Sequence, residues 1–523
     1  MSVYLGFEST ATAIACAATI GLAIAGLVKS YSKDKNATGL PLPPGPRPLP
    51  FIGNALDIKP DEPWVSYAEW GAKYGDLIYS RVLNLDIIVI NSEDVAKELL
   101  DKRSHNYSDR PLWFGLSFVS ALLPYGDLWR LHRRILHQAF RPATAASYLP
   151  IQVQKSRELL LNLFDSPGNY EEHVNLFPAS VIMSVAYGYD AKSWDDPLVT
   201  LVDKATRVIA QVVSPERAAI LASFPILMRL PTWVPNMLYK NAVTICRQRT
   251  AETQETAFKY VQDKMAAGIP VNGAVYDALA RLEGERMGEV DGSHNSEVVT
   301  KAIKGAAATA FIGRSRTTSA LFNFILAMIL YPDVQLRAQK EIDSVIGANR
   351  LPVFEDREAL PFIEAIIRET LRWHPVLPLG LAHATTNDDI YEGYFIPKGT
   401  TIIPNAWAMS RNESKYPRAS EFVPERWLTA DGGLIDDTPD YTFGFGRRFC
   451  VGKPLAEASL WLGIASMLAV FSFRKPDLVS GEEYEPKWTF GAASRPFPFP
   501  CRITPRSADL SKEKLTQLCD ADV

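Results

Sequence analysis

Phe443-Gly444-Phe445-Gly446-Arg447-Arg448-Phe449-Cys450-Val451-Gly452 is the stretch that decides the reading of this 523-residue chain. A lone cysteine stands here among glycines and arginines. Glycine lets the backbone turn tightly and come close to a flat ligand. Neighbouring guanidinium charge favours a thiolate and can pair with acidic groups on a ligand. The run therefore suits a thiolate held against a metal cofactor. The plainer alternative is a buried structural cysteine in a turn-rich loop.

The rest of the composition narrows the class. Cys16, Cys246, Cys450, Cys501 and Cys519 are scattered with no CxxC pair, which argues against a disulfide framework and a zinc site and suits a reducing compartment. Hydrophobic residues at 47% with charged residues at 22% fit a folded chain with a large core. A net charge of -4 gives no push toward nucleic acid. The length would allow about three or four ordinary domains, but a single large catalytic domain fits it as well.

From Ser9 to Val28 there is no charge, and about 20 residues is what a helix needs to cross a bilayer core. Lys29, Lys33 and Lys35 follow, which places the following chain on the cytoplasmic side and residues 1–8 in the lumen. A cleaved signal peptide would want basic residues before the apolar stretch, whereas Glu8 is the only charge there. The reading is a retained single-pass anchor, with the sequon at Asn36 on the wrong side of the membrane to be used. Residues 29–50 form a basic, proline-rich hinge, stiff because proline fixes the backbone. The catalytic domain spans 51–505, and 506–523 is a charged, mobile tail.

Alternation at Leu77–Val82 predicts a strand, and helical periodicity dominates beyond it. The glycine- and charge-rich segment from Gly284 to Asn295 reads as an exposed loop. A long helix should follow from about Ser296 to Leu330, stopped by Tyr331-Pro332. The fold class is mostly α with small β elements.

Three further motifs precede the cysteine loop. Glu369 and Arg372 stand three apart on a predicted helix and share a face. Phe422-Val423-Pro424-Glu425-Arg426-Trp427 follows some fifty residues later, and Trp129 and Arg133 are spaced i, i+4 upstream. The cysteine run resembles the haem-binding loop of cytochromes P-450, Phe-x-x-Gly-x-Arg-x-Cys-x-Gly, with every specified position filled. A chance match of that length is very unlikely. The other motifs, in the same order, are similar to the family's Glu-x-x-Arg helix, Pro-Glu-Arg segment and Trp-x-x-x-Arg helix.

The resemblance covers the chain from the anchor to Pro505 and looks most like fungal microsomal members. It implies the P-450 fold and a haem whose iron is axially ligated by the Cys450 thiolate. Phe443, Gly446 and Gly452 would shape the loop. Trp129, Arg133 and Arg448 would bind the propionates, with His383 either joining them or serving only as a satisfied core histidine. Glu369, Arg372 and Arg426 would form a buried structural network. Val376 to Leu381, including Leu377, and Thr489 to Gly491, including Phe490, would line the substrate pocket.

The pattern breaks on the long helix. Where the family carries Ala/Gly-Gly-x-Asp/Glu-Thr-Thr, this chain has Gly313-Arg314-Ser315-Arg316-Thr317-Thr318. Both threonines remain, but Arg316 replaces an acid that, with Thr317, organises proton-delivering water in the family. A guanidinium has no acceptor lone pair and stays charged, so it cannot relay protons as a carboxylate does. Three readings stay open. Arg316 points outward into an ion pair; Arg314 or Arg316 enters the pocket and binds an anionic substrate, with a peroxide-using or rearranging reaction; or the protein binds haem without turnover.

The resemblance implies insertion of one oxygen atom from O2 into a lipophilic small molecule such as a secondary metabolite. NADPH electrons would arrive through a membrane-bound cytochrome P-450 reductase, with cytochrome b5 as an optional second donor, at the endoplasmic reticulum membrane. Arg130, Arg134, Arg447 and Lys453 are candidate contacts for that acidic partner. The apolar run Phe224–Trp233 would dip into the membrane.

Overall fold

The computed structural model describes residues 38–111, 119–212, 238–288, 293–475 and 485–521. The expected anchor at 9–28 and the membrane-dipping run at 224–233 lie outside the described residues. Among the described residues no single helix is long and apolar enough to cross a membrane.

The architecture is mostly helical, as the periodicity implies. Its axis is the helix α8, introduced here with the elements around it. These are α1 (Pro63–Tyr74), β1 (Leu77–Val82), β2 (Leu85–Ile90), α2 (Asp127–Phe140), α3 (Leu149–Asp165), α4 (Tyr170–Tyr187) and α5 (Pro197–Val212). They continue with α6 (Leu238–Ala266), α7 (Ala274–Gly288), α8 (Ser293–Leu330), α9 (Pro332–Val345) and α10 (Pro361–Trp373). Then come β3 (His383–Ala384), β4 (Asp389–Tyr391), β5 (Tyr394–Ile396), β6 (Thr401–Pro404), α11 (Lys453–Val470), β7 (Phe471–Arg474), β8 (Arg502–Pro505) and α12 (Lys512–Asp520).

The 38 residues of α8 rise about 57 Å, enough to traverse the domain. Its C-terminal half is buried almost all round, from Ala320 to Ile329, because α4, α2, α10 and α11 pack about it. Pro332 ends it, since proline has no N–H to continue the ladder. In α2 the buried residues Trp129, His132, Leu136 and Phe140 recur at three- and four-residue steps, one stripe of an amphipathic helix. That stripe lays α2 against α8 and so brings Trp129 and Arg133 to the site.

A small sheet of order β1-β2-β6-β3 closes one side. β1 runs antiparallel to β2, β2 parallel to β6, and β3 antiparallel to β6. The register sets His383 opposite Ile402, which fixes the histidine's position from the sheet side.

Three expectations are corrected. Gly284–Gly288 belong to α7 and Ser293–Asn295 to α8, so most of the expected loop is helical. A glycine in a helix interior costs only about 1 kcal/mol relative to alanine, too little by itself to break α7 at Gly284. The described part of the proline-rich hinge is bound along the domain. The Pro44 carbonyl accepts from Tyr79 N at 2.9 Å and the Pro41 carbonyl from Phe395 N at 2.8 Å. A Cβ on Gly45 would stand 1.9 Å from the Tyr79 carbonyl oxygen, so only glycine fits that approach. The charged tail is not a loose extension either: Ser511 caps α12, Leu515 and Cys519 are buried, and Lys512 pairs with Asp165 at 2.7 Å.

The carboxylate of Glu369, fully buried on α10, ties this helix to the segment that leads into the cysteine loop. It accepts from Arg372 Nε and Nη2 at 2.8 and 2.7 Å, Arg426 Nε at 3.2 Å, Trp427 Nε1 at 2.9 Å and Val423 N at 2.8 Å. Arg372 spends its remaining donors on the carbonyls of Ser410, Ala419 and Glu421. Removing the anion leaves a buried guanidinium uncompensated, which costs on the order of 3–5 kcal/mol. Glu369→Ala should therefore lower the unfolding free energy measured by denaturant titration by that amount, whereas Glu425→Ala, whose carboxylate makes an exposed pair with Arg337, should change it by less than about 1 kcal/mol.

Candidate active site

One cavity of about 340 Å³ lies beside α8, and Cys450 opens onto it. Its walls come from α8, α2, α4, the cysteine loop and the stretch around Leu377, Leu381 and His383. The loop is held by its backbone: Cys450 N donates to the Phe443 carbonyl at 3.0 Å. Gly444 and Gly446 adopt φ of 89° and 51°, a left-handed region that side chains avoid. Phe443, Gly452 and Cys450 all line the cavity. Gly446 does not. It faces outward, where a Cβ would stand 2.1 Å from the Leu100 carbonyl oxygen, and its N–H donates to Asp101. Its part is to seat the loop, not to touch the cofactor space.

Trp129, Arg133 and Arg448 line the same cavity. Arg133 Nη1 donates to the Phe449 carbonyl at 2.6 Å. Arg448 donates through Nε and Nη2 to the carbonyls of Ser108 and Leu123, both at 2.8 Å, and its guanidinium lies 4.5 Å from the Trp129 ring centroid. Arg448 Nη1 is buried with no partner among the described residues. Burial pushes the Arg448 pKa down to about 10 and lowers that of Arg133, which Cys450 partly offsets. An orphaned guanidinium donor, an indole and a second arginine beside one thiol fit a flat, dianionic cofactor whose metal takes a thiolate.

His383 also faces this cavity, with Nδ1 2.7 Å from the Tyr107 carbonyl. That partner is an acceptor, so Nδ1 carries the proton. Burial, then the charges of Arg110 and Arg448, hold its pKa well below the usual histidine range. A neutral imidazole in this tautomer offers only an acceptor at Nε2, so it meets a carboxylate only by taking up a proton. The sequence reading missed Arg110, which lines the cavity while donating to the carbonyls of Ala121, Leu381 and Ala382 at 3.0, 2.6 and 2.6 Å. No periodicity or spacing marks it.

On α8, Thr317 and Gly313 line the cavity, and a Cβ on Gly313 would meet nothing within 4 Å among the described residues. Thr318 is buried with its hydroxyl unpartnered among the described residues, and it does not line the cavity. The two arginines behave differently from the outward reading of Arg316. Arg314 touches the cavity but turns its guanidinium to α5, with Nη2 3.6 Å from Asp203 Oδ1 and the group 4.7 Å from the Phe311 centroid. Arg316 faces the cavity and stands close enough for Cys450 to favour its charge, although burial, the larger effect, lowers its pKa. Two residues are about 200° apart around an α-helix, so the pair must diverge.

Of the expected pocket residues, Leu377 and Leu381 line the cavity. Val376 does not; its carbonyl accepts from Ser494 N at 2.8 Å. Phe490 is exposed and packs edge-on against Phe497. The C-terminal turn instead presents Ala492 and Ala493, and α4 adds Pro178, Val181 and Ile182.

With this geometry in view, comparison with known proteins defines the class. The Cytochrome P-450 family model matches residues 43–499. The chain is 36% identical to cytochrome P-450 monooxygenase ple1 of Rhodocybe pseudopiperita, covering 98% of this chain and 97% of that one. It is 36% identical to cytochrome P-450 monooxygenase claR of Ampulloclitocybe clavipes (96% and 92%) and 35% identical to cytochrome P-450 monooxygenase COX1 of Coprinopsis cinerea (95% and 98%). The chain belongs to the cytochrome P-450 family. It is an oxidoreductase of the monooxygenase type, a class that binds haem through a cysteine thiolate on the iron.

Two outcomes follow from the site's packing. Gly446→Ala forces a Cβ into the Leu100 carbonyl at positive φ, so it should lower the melting temperature and the fraction of protein retaining haem. Gly313→Ala, with open space around it, should retain both. His132, His374 and His383 are all buried with depressed pKa values, that of His132 reaching about 4. Unfolded histidines titrate near pH 6.5, so below that pH the unfolded chain binds more protons and stability falls on acidification. Unfolding free energy measured between about pH 6.5 and 4 should drop with acid, and His132→Gln should make that drop shallower.

Proposed function

We propose that this protein inserts one oxygen atom from O2 into a lipophilic small molecule, with NADPH electrons delivered by a membrane-bound reductase. The observation that carries the reading is the Cys450 thiol opening onto an otherwise largely apolar cavity beside Arg448, Trp129 and Arg133. Cys450 would ligate the haem iron, and Trp129, Arg133 and Arg448 would hold the acidic groups of the macrocycle. Arg110 adds a third guanidinium to that set. When bound, the haem supplies the oxygen-activating chemistry, which thiolate donation favours. The protein supplies a mostly apolar pocket that orients the substrate and limits water, with the Thr317 hydroxyl at the cavity wall as a group able to hold water there.

Arg316 has taken the place of the acid, so proton delivery falls to Thr317 and water. General acid–base assistance is worth about 10²- to 10⁴-fold, which makes slow turnover compatible with the missing carboxylate. Exposed Arg130, Arg134 and Arg447 lie on elements that carry the cysteine side of the site and would meet an acidic reductase. Arg130, paired with Asp127 at 2.6 Å, and Lys453, engaged with Asp440 at 2.8 Å and Glu457 at 3.6 Å, are the poorer contacts. The fungal relatives are named as monooxygenases, which supports the oxygen-inserting reaction; a secondary metabolite is the substrate class proposed here from the family resemblance alone. The apolar segment at 9–28 favours the endoplasmic reticulum membrane, with the catalytic domain cytoplasmic.

Cys450→Ser should abolish the red-shifted absorption band of the reduced carbonyl complex, and an unchanged band would remove the ligand assignment. In membranes carrying the reductase, the wild-type protein should consume NADPH and form an oxygenated product. A haem-binding protein without turnover would show the band and form no product.

A further inference from the structure

The cavity wall carries five arginines and, among the described residues, not one aspartate or glutamate. Four of these arginines are accounted for. Arg314 is paired with Asp203, and Arg110, Arg133 and Arg448 donate to backbone carbonyls around the cofactor space. Arg316 is different. Among the described residues it has no hydrogen bond, ion pair or ring contact. It lines the cavity.

A desolvated charge without a partner is unfavourable, and it is tolerated where a counter-charge arrives with a ligand. The surroundings say what sort of ligand. Ile182, Ala310, Ile312, Leu377 and Leu381 make the cavity largely apolar. A single guanidinium presents a planar fork that matches a carboxylate through two parallel N–H···O bonds. With one such group and the Thr317 hydroxyl next to it, the site fits a monoanion better than a phosphate dianion.

We propose that the substrate is a lipophilic carboxylic acid, its carboxylate paired with Arg316 and its hydrocarbon body filling the apolar remainder of the cavity. This rests on the monooxygenase reading for the reaction but not for the binding. Arg316 thus acts as a substrate-binding residue in the place where a proton-relay acid would otherwise stand.

The test is a binding titration on the purified haem-loaded protein at pH 7.5, followed by calorimetry and, in parallel, by the haem absorption shift. The probes are matched acid and alcohol pairs of three shapes: dodecanoic acid and dodecanol, abietic acid and abietol, 4-phenylbutyric acid and 4-phenylbutanol. A hydrogen-bonded charge pair corresponds to about 10- to 100-fold in affinity, so at least one acid should bind tighter than its alcohol by that factor. Arg316→Gln should remove the difference by weakening the acid alone, Arg316→Lys should keep part of it, and Arg316→Glu should favour dodecylamine. If no acid binds tighter than its alcohol to the wild-type protein, or if Arg316→Gln weakens both partners equally, the proposal is overturned. The wild-type comparison decides even if a variant loses haem. Acid selectivity without NADPH-driven product would leave this proposal standing and remove the monooxygenase reading. NADPH-driven oxidation of neutral compounds with no acid selectivity would do the reverse.

Discussion

A single buried carboxylate holds the catalytic half of this molecule in register. Glu369 sits on α10 and gathers Arg372 from its own helix, with Val423, Arg426 and Trp427 from the chain that runs on to the cysteine loop. Neither Glu369 nor Arg372 has any exposed surface. Ions so deeply buried are tolerated only when nearly every donor and acceptor is satisfied, and here the satisfaction spans residues 369 to 427. The consequence is geometric. α10 cannot shift relative to the Ser410–Trp427 stretch without breaking several charge-assisted bonds at once, so the chain that leads into the Cys450 loop starts from a rigid frame. Rigid presentation is what a thiolate ligand requires, because small displacements of a supporting shell loosen a metal site.

The second constraint is the helical phase of α8. Thr309, Gly313, Arg316 and Thr317 share a face toward the cavity, while Arg314 is directed to Asp203 on α5. Two arginines in one short motif thus have separate tasks. One pins α5 over the site by an ion pair; the other leaves a positive charge inside an apolar chamber. That charge alters the chemistry available there, since it can attract an anion but cannot pass a proton.

The parts of the site legible in the sequence are those whose residues are close together in the chain. Cys450 with its glycines and Arg448, the Trp129–Arg133 step and the Glu369–Arg372 turn each announce themselves within ten residues, because one loop or one helical turn sets their geometry. Leu77–Val82 was legible as a strand from alternation alone. What stayed hidden depends on distant packing. Arg110 reaches the cavity only because its donors are pinned by carbonyls some 270 residues away in sequence, and Pro178 enters because α4 crosses α8. Val376 and Phe490 were misplaced for the same reason: position along the chain does not say which side of a turn faces inward. The divergence of Arg314 and Arg316 follows from helical geometry, but which of them faces the cavity is set by α5. The binding of the proline-rich segment to β1 and β5, and of α12 through Leu515, was invisible because neither composition carries a packing signal.

The central claim is that the Cys450 cavity activates O2 with electrons supplied from NADPH. Membranes carrying the protein and a P-450 reductase, supplied with lipophilic acids and alcohols under isotopically labelled O2, test it most directly, once with NADPH and once with peroxide alone. The account predicts one labelled oxygen atom in the product with NADPH. Product formed only with peroxide, or an isomer carrying no label, would contradict it.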